Sequence, residues 1–141
     1  MATDSDWPPL TSLVTWLRRS RKDSKVTESL ANPSAAMVFA GAAGTQQDIT
    51  VDDNQLVNNG GIVFFNATNV DITNNTSTGS TGSVIFLGGG NSDVLVSGNT
   101  ASGAPTRTGV SLPAPTGGPN SNVRIIGNSL TGLLNGIGLG F

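Results

Sequence analysis

Four segments of this chain repeat one pattern: Asp48-Ile-Thr-Val-Asp-Asp-Asn54, Asn69-Val-Asp-Ile-Thr-Asn-Asn75, Asp93-Val-Leu-Val-Ser-Gly-Asn99 and Asn122-Val-Arg-Ile-Ile-Gly-Asn128. Each opens on Asp or Asn, alternates apolar and other residues, and closes on Asn. The closing Asn recurs at spacings of 21, 24 and 29 residues. Seven to ten residues after each Asn comes a second apolar stretch: Gly61-Ile-Val-Phe64, Ser83-Val-Ile-Phe86, Gly109-Val-Ser-Leu112 and Gly136-Ile-Gly-Leu139. A shorter stretch, such as Gln55-Leu56-Val57 or Ser129-Leu130, lies between them. Short strands, Gly/Asn turns and a period above twenty residues are the signature of a parallel β-solenoid, in which each repeat buries its apolar side only by stacking on the next.

Successive coils of such a wall climb by about 4.8 Å, so equivalent residues stack directly. Alternation along a strand then sorts side chains by face. Ile49 and Val51, Val70 and Ile72, Val94 and Val96, and Val123 and Ile125 are expected inside. Thr50, Asp71, Leu95 and Arg124 are expected outside. Asn54, Asn75, Asn99 and Asn128 form one column at a turn, where Asn tolerates left-handed backbone and stacked amides hydrogen-bond as a ladder. Stretches such as Ser102–Thr108 and Pro113–Ser121 are expected as loops that vary in length without disturbing the stack.

Composition agrees with this and removes several chemistries. Gly, Asn, Ser and Thr make up 64 of the 141 residues, and only 11% are charged. Without His, Cys or Tyr there is no thiol catalysis, no His-based triad, no Cys/His zinc site and no disulfide framework. Residues 46–141 carry two bases and five acids, too little charge for disorder by repulsion. The acidic start, MATDSDW, does not read as a secretory leader. The longest apolar stretch, Ala35–Ala43, is nine residues, too short to span a bilayer, so no membrane partner is expected.

The Asn-Val-x-Ile-x-x-Asn pattern followed by a Gly-Ile/Val-x-Phe/Leu strand resembles the right-handed parallel β-helix of pectate-lyase-like proteins. It is also similar to the short β-helical parts of bacteriophage tailspikes and other virion-surface proteins. The resemblance covers residues 48–141 and speaks for architecture more than for activity. It implies an all-β fold, a right-handed parallel β-helix of about four coils, and association into trimers.

The first third differs. Residues 1–34 form an N-terminal segment and residues 35–141 the β-helix, with Ala36–Ala40 starting it as a half coil. Pro8 and Pro9 suit a first helical turn, and Leu10, Leu13, Val14 and Leu17 make an apolar stripe. Arg18, Arg19, Arg21 and Lys22 complement the dipole at the helix end. An amphipathic helix is expected from about Pro8 to Lys22, followed by a linker, Ser24–Asn32. It serves either as a cap over an open coil end or as an anchor on another protein, through Leu10, Leu13, Trp16, Leu17, Arg18 and Arg19. The basic run RRSRK is too small, and the remainder too acidic, for nucleic-acid binding to be expected.

In the second strand Ile62 and Phe64, then Val84 and Phe86, are expected inside. Val63, Phe65, Ile85 and Leu87 then point outward as an apolar patch of the kind that marks a buried contact. Phe141 either plugs the last coil or meets a partner. Carbohydrate-cleaving β-helices need clustered carboxylates. Here Asp52 and Asp53 diverge, Asp71 and Arg124 lie two coils apart, as do Asp48 and Asp93, and both Trp residues lie in the first third. No catalytic residue, cofactor or metal is expected. The leading expectation is a structural phage protein, assembled in the host cytoplasm and carried on the virion surface. It would be a capsid decoration or fibre-like subunit, homo-oligomeric and docked on a capsid or other virion protein through residues 1–32. A carbohydrate- or receptor-binding tail module is the first alternative, and a polysaccharide-cleaving β-helix the second.

Overall fold

A computed structural model describes residues 37–40, 46–58, 60–114 and 118–140. The expected N-terminal helix, with its cap or anchor residues, and Phe141 lie outside these described residues.

Thirteen strands wind as a parallel β-solenoid of about four turns, with no helix among the described residues. β1 (Met37–Ala40) precedes the first complete coil. Coil 1 is β2 (Gln46–Asp52), β3 (Gln55–Val57) and β4 (Ile62–Phe65); coil 2 is β5 (Ala67–Thr73), β6 (Thr76–Thr78) and β7 (Ile85–Leu87). Coil 3 is β8 (Ser92–Ser97), β9 (Thr100–Ser102) and β10 (Ala104–Leu112); coil 4 is β11 (Ser121–Ile126), β12 (Ser129–Leu130) and β13 (Leu133–Leu139). The strands build three walls: sheet A in the order β1-β4-β7-β10-β13, sheet B as β2-β5-β8-β11 and sheet C as β3-β6-β9-β12. Every pairing is parallel.

Sheet B carries the repeat. Ile49, Val70, Val94 and Val123 stand in one register column, and Val51, Ile72, Val96 and Ile125 in the next. All of these are buried except Ile49, Val123 and Ile125, which are half-buried against the same core. Thr50, Asp71, Leu95 and Arg124 share the outward column. The half coil is also present, as β1 pairs with β4 with Met37 opposite Ile62.

Sheet A departs from expectation in coil 2. Ile62 pairs with Ile85 and Phe64 with Leu87, and all four side chains are buried. Ile85 and Leu87 therefore belong to the core, not to an outward patch. Phe86 pairs with Val63 and faces outward, half-buried, rather than lying inside. In a strand a shift of one residue sends every side chain to the opposite face. Val84 is buried as well, beside the corner at which Ile62 N–H donates to Val84 O (2.9 Å). Gly61 stands there at φ +93°, where an added Cβ would run into the carbonyl oxygens of Ser83 and Val84.

The extra length of coil 3 is not a loop at Ser102–Thr108. β10 runs through it, and its register with β13 shifts between Ala104 (opposite Leu133) and Thr108 (opposite Asn135). Four steps on β10 thus oppose two on β13, a bulge that leaves Pro105, Thr106 and Arg107 exposed.

Candidate interaction site: the asparagine columns, the outer face and the open coil

The corners that turn one wall into the next are columns of left-handed residues. Asp53, Asn74, Gly98 and Gly127 hold positive φ (54°, 53°, 65° and 63°) between sheets B and C. Asn58, Gly79, Gly103 and Gly132 do so between C and A, at 52°, 65°, 72° and 61°. Asn, Asp and Gly are the residue types that accept this conformation at low cost, which accounts for much of the composition. A third column lies at the opening of each repeat: Asp48, Asn69, Asp93 and Asn122 have φ of 55°, 56°, 55° and 48°. On its exposed rim Asn69 Nδ2 donates to Asp48 Oδ1 (2.7 Å) and Asn122 Nδ2 to Asp93 Oδ1 (2.6 Å).

Immediately after the B–C corner runs the asparagine ladder. The side-chain oxygen of each Asn after the first accepts both the backbone N–H and the Nδ2 of the Asn one coil earlier. Asn54 donates in this way to Asn75 Oδ1 (3.0 and 2.9 Å), Asn75 to Asn99 Oδ1 (2.9 and 2.9 Å) and Asn99 to Asn128 Oδ1 (2.9 and 2.9 Å). Each of the later three also ties back to an earlier strand: Asn75 Nδ2 to Val51 O (2.9 Å), Asn99 Nδ2 to Ile72 O (2.8 Å) and Asn128 Nδ2 to Val96 O (2.9 Å). Asn54, Asn75 and Asn99 are buried, so the ladder satisfies amides that would otherwise be costly inside the wall.

A second, shorter ladder was not legible from the repeat. Asn91 N–H and Nδ2 both donate to Asn120 Oδ1 (3.0 and 2.9 Å), while Ala67 N–H donates to Asn91 Oδ1 (3.0 Å). Its first rung is an alanine backbone, so no asparagine recurs there to announce it.

Three of the acids, Asp48, Asp52 and Asp93, are engaged in structural hydrogen bonds. Asp52 Oδ1 accepts from Thr73 Oγ1 (2.6 Å) and Asn74 Nδ2 (2.9 Å), and Asp48 and Asp93 accept from the asparagines above. Asp71 and Arg124 lie on one outward column with Leu95 between them. Among the described residues no group of three or more His, Cys, Asp or Glu is placed to hold a metal ion. Among the described residues no helix is long and apolar enough to cross a membrane.

Two apolar surfaces remain. On sheet A, Val63, Phe65 and Phe86 face outward and half-buried, the two rings 5.8 Å apart and tilted by 50°. The Phe65 ring lies across Gly88, where any Cβ would collide with it. At the far end of the stack, Ile126, Leu134, Ile137 and Leu139 of coil 4 are 48%, 64%, 49% and 58% exposed. Ile137 and Leu139 stand in register over Val110 and Leu112, on the inward face of sheet A. They are core residues of a wall that lacks its next rung among the described residues. Of the interface residues expected from sequence, Val63 and Phe65 do face outward, Ile85 and Leu87 do not, and the six from Leu10 to Arg19 lie outside the described residues.

Comparison with protein families, with curated proteins and with solved structures returns no match.

Proposed function

We propose that this protein is a structural subunit that works by self-association, with no catalytic role. The observation that carries this reading is coil 4, where the four large aliphatic side chains of Ile126, Leu134, Ile137 and Leu139 are 48–64% exposed. Burying each against a neighbour is worth roughly 1.5–3 kcal/mol, enough together to decide the assembly of a small domain. The outward Phe65–Phe86 pair adds a second apolar surface on an adjoining wall. The hydrogen-bonded state of Asp48, Asp52 and Asp93 favours structure over acid–base work.

Within this reading the coil is right-handed, as parallel crossovers almost always are. The resemblance to β-helical virion proteins supplies the setting: a phage capsid decoration or fibre-like subunit, trimeric, docked on the particle through residues 1–32.

Light scattering at micromolar concentration tests the association. The expected mass is three times that of the chain, falling to one chain in the double variant Leu134→Asp/Leu139→Asp with its far-UV strand signal intact. A monomeric native protein at that concentration overturns the proposal.

A further inference from the structure

We infer that the outer face of sheet C is a binding surface for ice, contacted through two columns of hydroxyl-bearing side chains. The columns follow from register. Thr76, Thr100 and Ser129 stand in line after Gln55, and Thr78 and Ser102 stand in line after Val57. Thr131 continues the second column, since its N–H bonds Ala101 O (2.9 Å) beside Ser102. The residues between, Ser77, Ala101 and Leu130, face the core. Coils 2, 3 and 4 therefore each present two hydroxyls flanking one inward side chain.

These hydroxyls lack protein partners. Among the described residues the side chains of Thr76, Thr78, Thr100, Ser102 and Ser129 enter no hydrogen bond, and Thr131 Oγ1 makes only a long one to Ala101 O (3.5 Å). On sheet B, at the same coil spacing, outward hydroxyls are bonded within the protein. Thr73 Oγ1 donates to Asp52 Oδ1 (2.6 Å) and Ser92 Oγ to Thr68 Oγ1 (3.1 Å). Sheet B also carries Asp71 and Arg124 outward, whereas the strands of sheet C contain no charged residue and no aromatic ring.

The array is held from both sides. Each first-column residue directly follows a ladder asparagine, and its N–H bonds the asparagine carbonyl one coil earlier: Thr76 to Asn54 O, Thr100 to Asn75 O and Ser129 to Asn99 O, all at 2.8 Å. Each second-column residue directly precedes a left-handed glycine, Gly79, Gly103 or Gly132. Sheet C keeps one register through four coils, where sheet A shifts. Threonine is itself stiff at χ1.

Spacing names the ligand. Neighbouring coils stand about 4.8 Å apart, and two steps along a parallel strand cover about 6.6 Å. These two repeats, at right angles, lie close to the oxygen repeats on a prism face of hexagonal ice. Hydroxyls on such a grid hydrogen-bond lattice waters while the threonine methyls sit between the oxygen rows. Contacts that are weak singly add up here because the array is ordered before it meets the crystal. A sugar would find no ring to stack on, and an ionic partner no charge.

Slow growth of ice from a dilute solution of the full chain tests this. The chain should be enriched in the ice at least threefold over a protein of similar size that does not bind ice, and at micromolar concentration it should slow the coarsening of ice grains at least threefold. Exclusion of the native chain from the ice overturns the inference without need of a variant. Thr100→Lys, at the centre of the array, should abolish both effects. Thr50→Lys, the same exchange at an exposed position on sheet B, should leave them, with far-UV signal and melting midpoint matched between the two. Equal behaviour of the two variants overturns the inference. So does retention of the native chain on insoluble cellulose or chitin without enrichment in ice, which would give the face to a polysaccharide. Sheet C shares no residue with the exposed aliphatic surface of coil 4, so ice binding and self-association fail separately.

Discussion

Coils 1 and 4 are built from the same repeat, are the first and last complete coils among the described residues, and are buried very differently. Ile62 is fully buried, while Ile137, in the same register column, is 49% exposed. Asn54 is buried at the head of the ladder, and Asn128 is half-buried at its foot. The difference teaches that a solenoid's residue pattern specifies position within a coil and not whether that coil has a neighbour. Coil 1 holds a buried Asn54 Oδ1 without a donor, and coil 4 offers half-exposed aliphatic side chains.

The sharpest way to break this comparison is at matched core positions. Ile62→Ala should cost about 2–5 kcal/mol, because a fully packed site cannot collapse around the lost atoms. Ile137→Ala should cost below about 1 kcal/mol in the dissociated chain, since its side chain is half in water already. Denaturant midpoints of both variants check this, and equal losses would mean that coil 4 is as well covered as coil 1.

The ladder gives the next largest effect. Asn75→Ala takes the Oδ1 acceptor from Asn54 N–H and Nδ2 and one of two donors from Asn99 Oδ1, which keeps the backbone N–H of residue 75, a loss of about 3 kcal/mol. Asn128→Ala should cost about 1 kcal/mol, because water reaches the donors it leaves. Thermal unfolding ranks the two. The smallest effect is a gain: Ser77 Oγ is buried without a partner between Leu56 and Ala101 in the inward column of sheet C. Ser77→Ala should raise stability by up to about 1 kcal/mol, and a loss would show that the hydroxyl finds a donor or acceptor.

Much of this was legible in the chain. The sheet B columns were readable because Val and Ile alternate there with polar or charged residues, as in Val70-Asp71-Ile72. The main ladder was readable because its Asn recurs in every repeat. Coil 2 of sheet A was not, because Val84, Ile85, Phe86 and Leu87 are all apolar and alternation cannot choose a face among them. What decides it is the flat Phe65 ring lying on Gly88 beside Phe86, a contact between coils that no single strand encodes. The bulge in β10 escaped for a related reason. Pro105 reads as a loop residue, yet the strand carries it on an exposed stretch where ladder bonding is already interrupted.

That bulge has an engineering consequence. Coil 3 takes up two surplus residues at Pro105–Arg107 while Val110, a few positions on, stays fully buried and in register. A short foreign peptide grafted at this point would be displayed on the outside of the wall, its length absorbed where the pleat is already broken, and the stack beneath would have no need to adjust.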